Sequence, residues 1–151
     1  MSIEEAIKQK NFQNEYHKLA VNLQFTANWL SAVHAKVLRP FGISAQQFNV
    51  LRILKGQFPN PSSLILIRER MLDKESNASR LIDKLISTGL TKRVQCPSNR
   101  RQVDITITKK GVDLLNQLNP KVEELESTLS GLSVAEANQL NSLLDKLRDN
   151  K

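Results

Sequence analysis

A polar stretch in the middle of the chain carries side chains that can hydrogen-bond to nucleic-acid bases and phosphates. Asn77, Arg80 and Lys84 are spaced so that the second and third lie three and seven residues after the first, which places them on one face of a helix. Ser76 and Ser79 lie beside them. Arginine can form two hydrogen bonds to guanine and asparagine two to adenine, while serine bonds either bases or phosphates. The stripe suits a helix in the DNA major groove, although a solvated helix face is the more frequent meaning of such a pattern by itself.

A second basic group follows in the segment KRVQCPSNRRQVDITITKKG. Apolar residues alternate with polar ones on both sides of PSNR, which predicts two strands joined by a turn. The cations of this hairpin are Lys92 and Arg93 on the first strand and Arg100 and Arg101 at the tip. A cation at the tip of a hairpin can reach a minor groove or the flanking phosphates. Two basic elements in succession favour DNA binding over a merely solvated surface.

The charge distribution points to the same kind of partner. The chain carries a net charge of +7 at pH 7. Residues 41–111 hold thirteen lysines and arginines against five carboxylates, whereas residues 112–151 hold four against seven. An excess of positive charge in the middle of the chain favours a polyanionic partner. An uneven but functionless surface charge explains this feature about equally well on its own.

The apolar spacing predicts the helices that precede the basic elements. Residues 11–38 show a near-heptad repeat, which predicts one long helix that Pro40 ends. Such a helix would be about 40 Å long, so part of its apolar stripe is expected to face another chain. A capping box of Ser44 and Gln47 predicts the start of a second helix. In SSLILIRERML the run of four apolar residues fits either a strand or a buried helix, and we predict a third helix because RERML consists of good helix formers.

The next elements complete a recognisable order. Residues 75–88 carry a single apolar face, and Gly89 is expected to end this helix as a left-handed cap. Thr108 is expected to cap the helix after the hairpin, and Pro120 to kink or divide it. A helix, a turn, a polar helix and a basic two-stranded hairpin, in that order, form a winged helix-turn-helix.

Two segments resemble a known family. ERMLDKESNASRLIDKLISTGLTKR resembles the pair of DNA-binding helices of the MarR family of bacterial transcription regulators, and NRRQVDITITKKG resembles that family's wing and the start of its next helix. The resemblance implies a mainly α-helical fold with a small β-hairpin wing, as a single domain over residues 1–151. The winged-helix lobe would span about residues 44–111, and residues 11–38 and 112–148 would form the helices of a homodimer.

The resemblance also implies a function and functional residues. Members of this family bind a near-palindromic site in double-stranded DNA and are usually repressors that a small ligand or other signal releases. The recognition-helix positions correspond to Ser76, Asn77, Ser79 and Arg80, and the wing arginine to Arg101. Asn99 stands where the family commonly has an aspartate that pairs with this arginine, so it offers a hydrogen bond but no charge. The predicted DNA-binding set is completed by Lys84, Lys92, Arg93 and Arg100.

Other candidate sites are weaker. Phe25 and Trp29 lie one turn apart on the long helix, where they either line an effector pocket or, more often, pack in the core. Cys96 lies near basic residues that can lower a thiol pKa, but an unreactive strand residue is the more frequent outcome. His17 and His34 have no third ligand beside them, so we predict no metal site.

Composition argues against several classes of protein. No apolar run approaches the roughly 20 residues needed to cross a bilayer, the first residues do not resemble a signal peptide, and one cysteine fits a reducing compartment. We therefore expect a cytoplasmic protein without a cofactor. The sequence has no paired-carboxylate, nucleophile–base or phosphate-binding glycine pattern, so we do not predict an enzyme. The remaining alternative is a winged-helix module that docks an acidic protein partner.

Overall fold

The computed structural model describes residues 1–96, 98–99 and 102–149 and consists of helices with one small sheet. In chain order the elements are α1 (Ile3–Ile7), α2 (Glu15–Leu38), α3 (Ala45–Gln57), α4 (Leu64–Arg70), α5 (Ala78–Ser87), β1 (Thr91–Gln95), β2 (Val103–Ile107), α6 (Lys109–Glu126) and α7 (Val134–Arg148). Short 3-10 turns at Arg39–Phe41 and Ser127–Gly131 follow α2 and α6. Among the helices in the described ranges, none is both long and apolar enough to cross a membrane. The predicted fold class, mainly α-helical with a β-hairpin wing, is confirmed.

Side-chain caps set several helix boundaries where the sequence predicts them. The Ser44 hydroxyl accepts the backbone N–H of Gln47 over 3.1 Å, and the Gln47 side chain accepts the backbone N–H of Ser44 over 2.9 Å. This is the predicted capping box. α4 begins after Ser63, whose hydroxyl accepts the backbone N–H of Leu66 over 3.2 Å, so the LILI segment is helical rather than a strand.

The N-terminal segment differs from the prediction. α2 begins at Glu15 rather than near residue 11, because Asn14 is extended and caps the helix with its side chain. Nearer the N-terminus, Ile3–Ile7 form α1, which the apolar spacing does not reveal because the helix has only five residues. Ser2 and Glu5 make a capping box around it, and this local bonding offsets the short length.

The helix after the wing is continuous, where a kink or a division at Pro120 was predicted. α6 runs through Pro120 from Lys109 to Glu126, so a division is wrong, and a kink stays a prediction. Leu118 and Val122 are 0% and 7% exposed, which means that α6 packs against the core on both sides of the proline. A proline removes one backbone donor, and this packing compensates for it.

The core lies between α3, α4, α5, α6 and the wing. Its fully buried side chains include Leu51, Leu54, Ile67, Leu85, Leu115 and Leu118. β1 and β2 are antiparallel, with Thr91 opposite Ile107 and Gln95 opposite Val103. Ser62 bridges to Ile105 on the other edge of β2, so the chain before α4 is attached to the base of the wing.

Two glycines shape the junction between α5 and α6, one through its backbone conformation and the other through a close approach. Gly89 has φ +75°, the left-handed conformation predicted for the residue that ends α5. At Gly111 an added Cβ would lie 2.3 Å from the carbonyl oxygen of Leu90 and 2.7 Å from Ile107 Cγ1. The first turn of α6 therefore lies directly against the chain that leaves α5.

Candidate nucleic-acid interface

α5 has one buried face and one exposed face. The buried face consists of residues that are at most 3% exposed: Ala78, Ile82 and Leu85. Ser79, Arg80 and Lys84 are exposed on the other side of the helix. The packing of the apolar face thus holds a hydroxyl and two cations at the surface. Side chains of these types, displayed on one helix, can reach base edges in a major groove.

The helix begins later than the sequence predicts. A start at residue 75 is expected, whereas Asn77 is the N-cap, with its Oδ1 accepting the backbone N–H of Arg80 over 3.1 Å. Ser76 is half-buried, and its hydroxyl donates to Asp73 Oδ2 over 2.7 Å. Short polar side chains that bond to nearby groups favour caps and turns over helix interiors. Ser76 and Asn77 therefore precede α5 instead of lying along its face. The amide nitrogen of Asn77 takes no part in the cap bond, which uses Oδ1.

α3 supports the turn that leads into α5. The backbone N–H of Leu72 donates to Asn49 Oδ1 over 2.9 Å. Asp73 accepts hydrogen bonds from the Ser76 hydroxyl and from the backbone N–H of Glu75. The Ser76 bond is the largest cause that holds the pKa of Asp73 below its ordinary value, and the nearby side chain of Gln46 contributes less. Sequence reasoning missed Gln46 and Asn49. The pattern carries no sign of their role, because Asn49 and Leu72 are 23 residues apart.

α6 supports the other end of α5. The Thr108 hydroxyl donates to the carbonyl oxygen of Gly89 over 2.6 Å, and Lys110 Nζ donates to that of Thr88 over 2.7 Å. A lysine at this position also interacts favourably with the C-terminal end of the helix dipole. The orientation of α5 is consequently tied to α6 as well as to α3.

The two cations of β1 lie on opposite sides of the wing, as neighbouring residues of a strand must. Arg93 Nη2 donates to Asp83 Oδ1 on α5 over 2.5 Å. Lys92 lines a groove of about 400 Å3 together with Phe58 and Pro59, which belong to the loop before α4. Arg93 therefore faces α5, whereas Lys92 faces away from it. The DNA contact of Lys92 stays a prediction.

The wing tip is described only in part. Asn99 is exposed; its backbone N–H donates to the Cys96 carbonyl over 3.3 Å, and its own carbonyl accepts the N–H of Gln102 over 2.9 Å. Arg100 and Arg101 lie outside the described residues, so their DNA contacts also stay predictions. Cys96 is 9% exposed, with its Sγ 3.3 Å from Ser98 Oγ, which places the thiol within the base of the turn.

The residues predicted for an effector pocket lie at the surface of α2. Phe25 and Trp29 are 40% and 42% exposed. A cavity of about 650 Å3 lies elsewhere, between the segment that follows α2 (residues 41–47), the end of α5 and the first turns of α6. Its lining includes Phe41, Ile43 and Leu114 as apolar residues and Lys84, Lys109 and Lys110 as cations. The sequence contains no local pattern for this cavity, because three separate segments form it.

Comparison with known proteins shows which protein family the sequence matches. The chain matches the family model described as "MarR family" over residues 43–103. It is 34% identical over 106 residues to the uncharacterized HTH-type transcriptional regulator YkoM of Bacillus subtilis (strain 168), a match that covers 70% of this chain and 68% of that protein.

Solved structures extend the likeness to most of the chain. The fold is similar to that of BpsR from Bordetella bronchiseptica, studied for the regulation of its DNA binding by 6-hydroxynicotinic acid, with a TM-score of 0.81 at 24% identity over 93% of this chain and 100% of that one. It is also similar to a mutant MarR from E. coli complexed with operator DNA, with a TM-score of 0.80 at 23% identity over 91% of this chain and 99% of that one. The shared fold therefore includes the terminal helices as well as residues 43–103.

Proposed function

The chain belongs to the MarR family of transcription regulators, and on this premise we propose that two copies bind a near-palindromic DNA site through α5 and the wing of each. The observation that carries the proposal is the exposed row of Ser79, Arg80 and Lys84 on a helix whose opposite face is buried. Asn77 adds an amide at the start of that row. The family favours this function over a module that docks an acidic protein, and the proposed role is binding rather than catalysis.

The terminal helices support a homodimer. None of the fifteen residues of α7, all of them within the described ranges, is buried. Its leucine stripe includes Leu140, Leu143 and Leu147, which are 45%, 54% and 43% exposed. Apolar side chains that are this exposed in one chain favour association, because their burial against a partner lowers the free energy. We assign residues 11–38 and 112–148 to dimerisation and residues 44–111 to the DNA-binding lobe of a single domain.

The proposed biological role is repression in the cytoplasm, relieved by a small molecule. BpsR provides the precedent, since the regulation of its DNA binding by 6-hydroxynicotinic acid has been studied structurally. In this chain, the 650 Å3 cavity supports an effector with an apolar body and a negative charge, because its walls are partly apolar and its three lysines outnumber its one carboxylate. That carboxylate belongs to Asp113, which pairs with Lys109 over 2.8 Å, so Lys84 and Lys110 carry the remaining positive charge. Lys110 lines the cavity and also bonds to the last turn of α5. An anion that binds Lys110 would therefore break its hydrogen bond to Thr88 and weaken the attachment of the recognition helix to α6.

Selection of duplexes from a random pool tests the proposed function. The protein is expected to enrich one near-palindromic sequence, and its affinity for that duplex is expected to fall steeply with salt. Counterion release gives a log–log slope of about −0.9 for each phosphate contact. A slope near zero, or no enrichment over several rounds, would contradict DNA binding as the function.

A screen of small organic acids by thermal shift tests the effector site. A ligand of the cavity is expected to raise the melting temperature of the wild-type protein and to weaken its binding to the selected duplex. Lys109→Met and Lys110→Met should reduce that thermal shift if the lysines hold the anion. Acids that stabilise both variants as well as the wild type would place the effector elsewhere.

A further inference from the structure

Arg93 and Asp83 connect the wing to the recognition helix. The two residues belong to β1 and α5, and their side chains meet with 2.5 Å between Nη2 and Oδ1. Both side chains are exposed, at 57% and 60%. The contact therefore lies on the surface between the two elements that are proposed to enter the DNA grooves.

The position of Asp83 on α5 needs an explanation. It lies three residues after Arg80 and four after Ser79, so its carboxylate is next to the row proposed to contact bases. A free carboxylate there would repel DNA phosphates. Paired with Arg93, it presents no net charge to the duplex.

The position of Arg93 on β1 fits a role inside the protein. Its partner across the sheet is Ile105, which is 4% exposed, so Arg93 leaves the strand on the side that faces the core. From that side the guanidinium reaches α5 at the edge of the packed region. Lys92, one residue earlier, lies on the opposite side of the strand with the loop that contains Phe58.

We propose that Arg93 is a positioning residue that holds α5 and the wing in one fixed relative orientation, and not a phosphate contact. This inference rests on the proposed function. Two DNA-binding elements held in a fixed relative orientation bind as one unit. Once the first is bound, the second enters its groove without a further loss of conformational entropy. An exposed ion pair contributes little to folding, so its main effect is expected on DNA binding.

The competing interpretation, in which Arg93 contacts a phosphate, predicts the opposite change in DNA affinity for Asp83→Asn. If Arg93 leaves Asp83 to neutralise a phosphate, then Asp83→Asn frees the arginine and strengthens DNA binding. If Arg93 is a positioning residue, Asp83→Asn weakens binding to the selected duplex. Arg93→Gln weakens binding in either case, but only the loss of a phosphate contact makes the salt slope shallower, by about 0.9.

The experiment compares Asp83→Asn, Arg93→Gln and the double variant on the selected duplex and on random duplex at several salt concentrations. Each single variant is expected to lose about three- to ten-fold of its preference for the selected duplex, a range typical of coupled contacts. The double variant should lose no more than either single one, and all three should keep the wild-type salt slope. Glu69→Gln, which removes an exposed carboxylate of α4, corrects for the general effect of one lost negative charge.

Each outcome decides the inference. Tighter binding by Asp83→Asn than by Glu69→Gln, or a shallower salt slope for Arg93→Gln, overturns it. Thermal unfolding identifies a variant that is destabilised. In that case the charge-reversed double variant, Asp83→Arg with Arg93→Asp, should restore part of the lost preference for the selected duplex. No recovery would count against the Arg93–Asp83 pair as the cause. If the wild-type protein selects no duplex, the proposed function fails and this inference fails with it. If it selects one and Asp83→Asn keeps full preference, only the inference fails.

Discussion

Asn49 on α3 accepts the backbone N–H of Leu72 across 2.9 Å, so one side chain fixes the turn that leads into the recognition helix. Leu72 itself is 87% exposed, which means that apolar packing of its side chain does not hold this turn in place. At Leu72 the support comes from a hydrogen bond to a residue that precedes it by 23 positions, next to Met71, which is buried in the core.

Removal of this acceptor is expected to loosen the turn. Asn49→Ala should lower the free energy of unfolding by about 1 kcal/mol, the usual net value of one such hydrogen bond. Denaturation in urea measures the change. Asn49→Asp keeps an oxygen at the same place and serves as the control, so equal losses in both variants would argue against the bond as the cause.

Arg80 is expected to read sequence. Arg80→Ala should reduce the preference for the selected duplex by about 1–3 kcal/mol, the range for one arginine–guanine pair, and should affect random duplex much less. Arg101→Ala, at a position predicted from sequence alone, should instead weaken binding to all duplexes alike. Competition binding on both kinds of duplex separates the two effects, and equal losses on both for Arg80→Ala would remove its assigned role.

Asn77 is expected to have two separable roles. Asn77→Ala removes both the N-cap bond to Arg80 and the amide donors, so it should cost about 1 kcal/mol of stability and also relax sequence preference. Asn77→Asp keeps a good cap but lacks the amide donors. It should therefore unfold at nearly the wild-type denaturant concentration while the preference is lost. An Asn77→Asp protein with intact preference would show that Asn77 only caps the helix.

Leu143 is expected to lie in the dimer interface. Leu143→Asp should shift the protein toward monomer in sedimentation velocity, because it replaces a leucine whose burial contributes about 1.5–3 kcal/mol in each copy. Binding to the near-palindromic duplex should weaken in parallel. Asn141→Asp introduces the same charge on the other side of α7 and should leave the dimer intact. A monomeric wild-type protein would contradict the prediction.

Asp73 is expected to titrate below its ordinary pKa of 3.8, since the Ser76 hydroxyl and nearby backbone and side-chain donors favour its charged form. A lowered folded-state pKa stabilises the protein at pH values above the ordinary pKa, and the contribution is lost as the pH falls through the lowered value. NMR titration of the Asp73 carboxyl measures the midpoint. Ser76→Ala should move it upward, and an unchanged midpoint would show that the hydroxyl bond is not formed in solution.

Much of the fold could be predicted because its signals are local. The capping box at Ser44, the left-handed Gly89 and the apolar face of α5 each follow from residues within one or two turns of chain. Where the prediction was wrong, a competing interaction decided the outcome. Asn77 bonds as a cap and delays the start of α5, and packing on both sides carries α6 through Pro120.

The sequence by itself determined the elements from α2 onward, their order and the residue types on the exposed face of α5, because caps, turns and periodicity depend on neighbours along the chain. Only the tertiary structure decided which of two adjacent cations faces the recognition helix, and that Asn49 and Lys110 hold its two ends. These contacts join residues from 10 to 23 positions apart. No periodic pattern in the sequence predicts contacts between residues so far apart in the chain, because the packing of the helices brings them together.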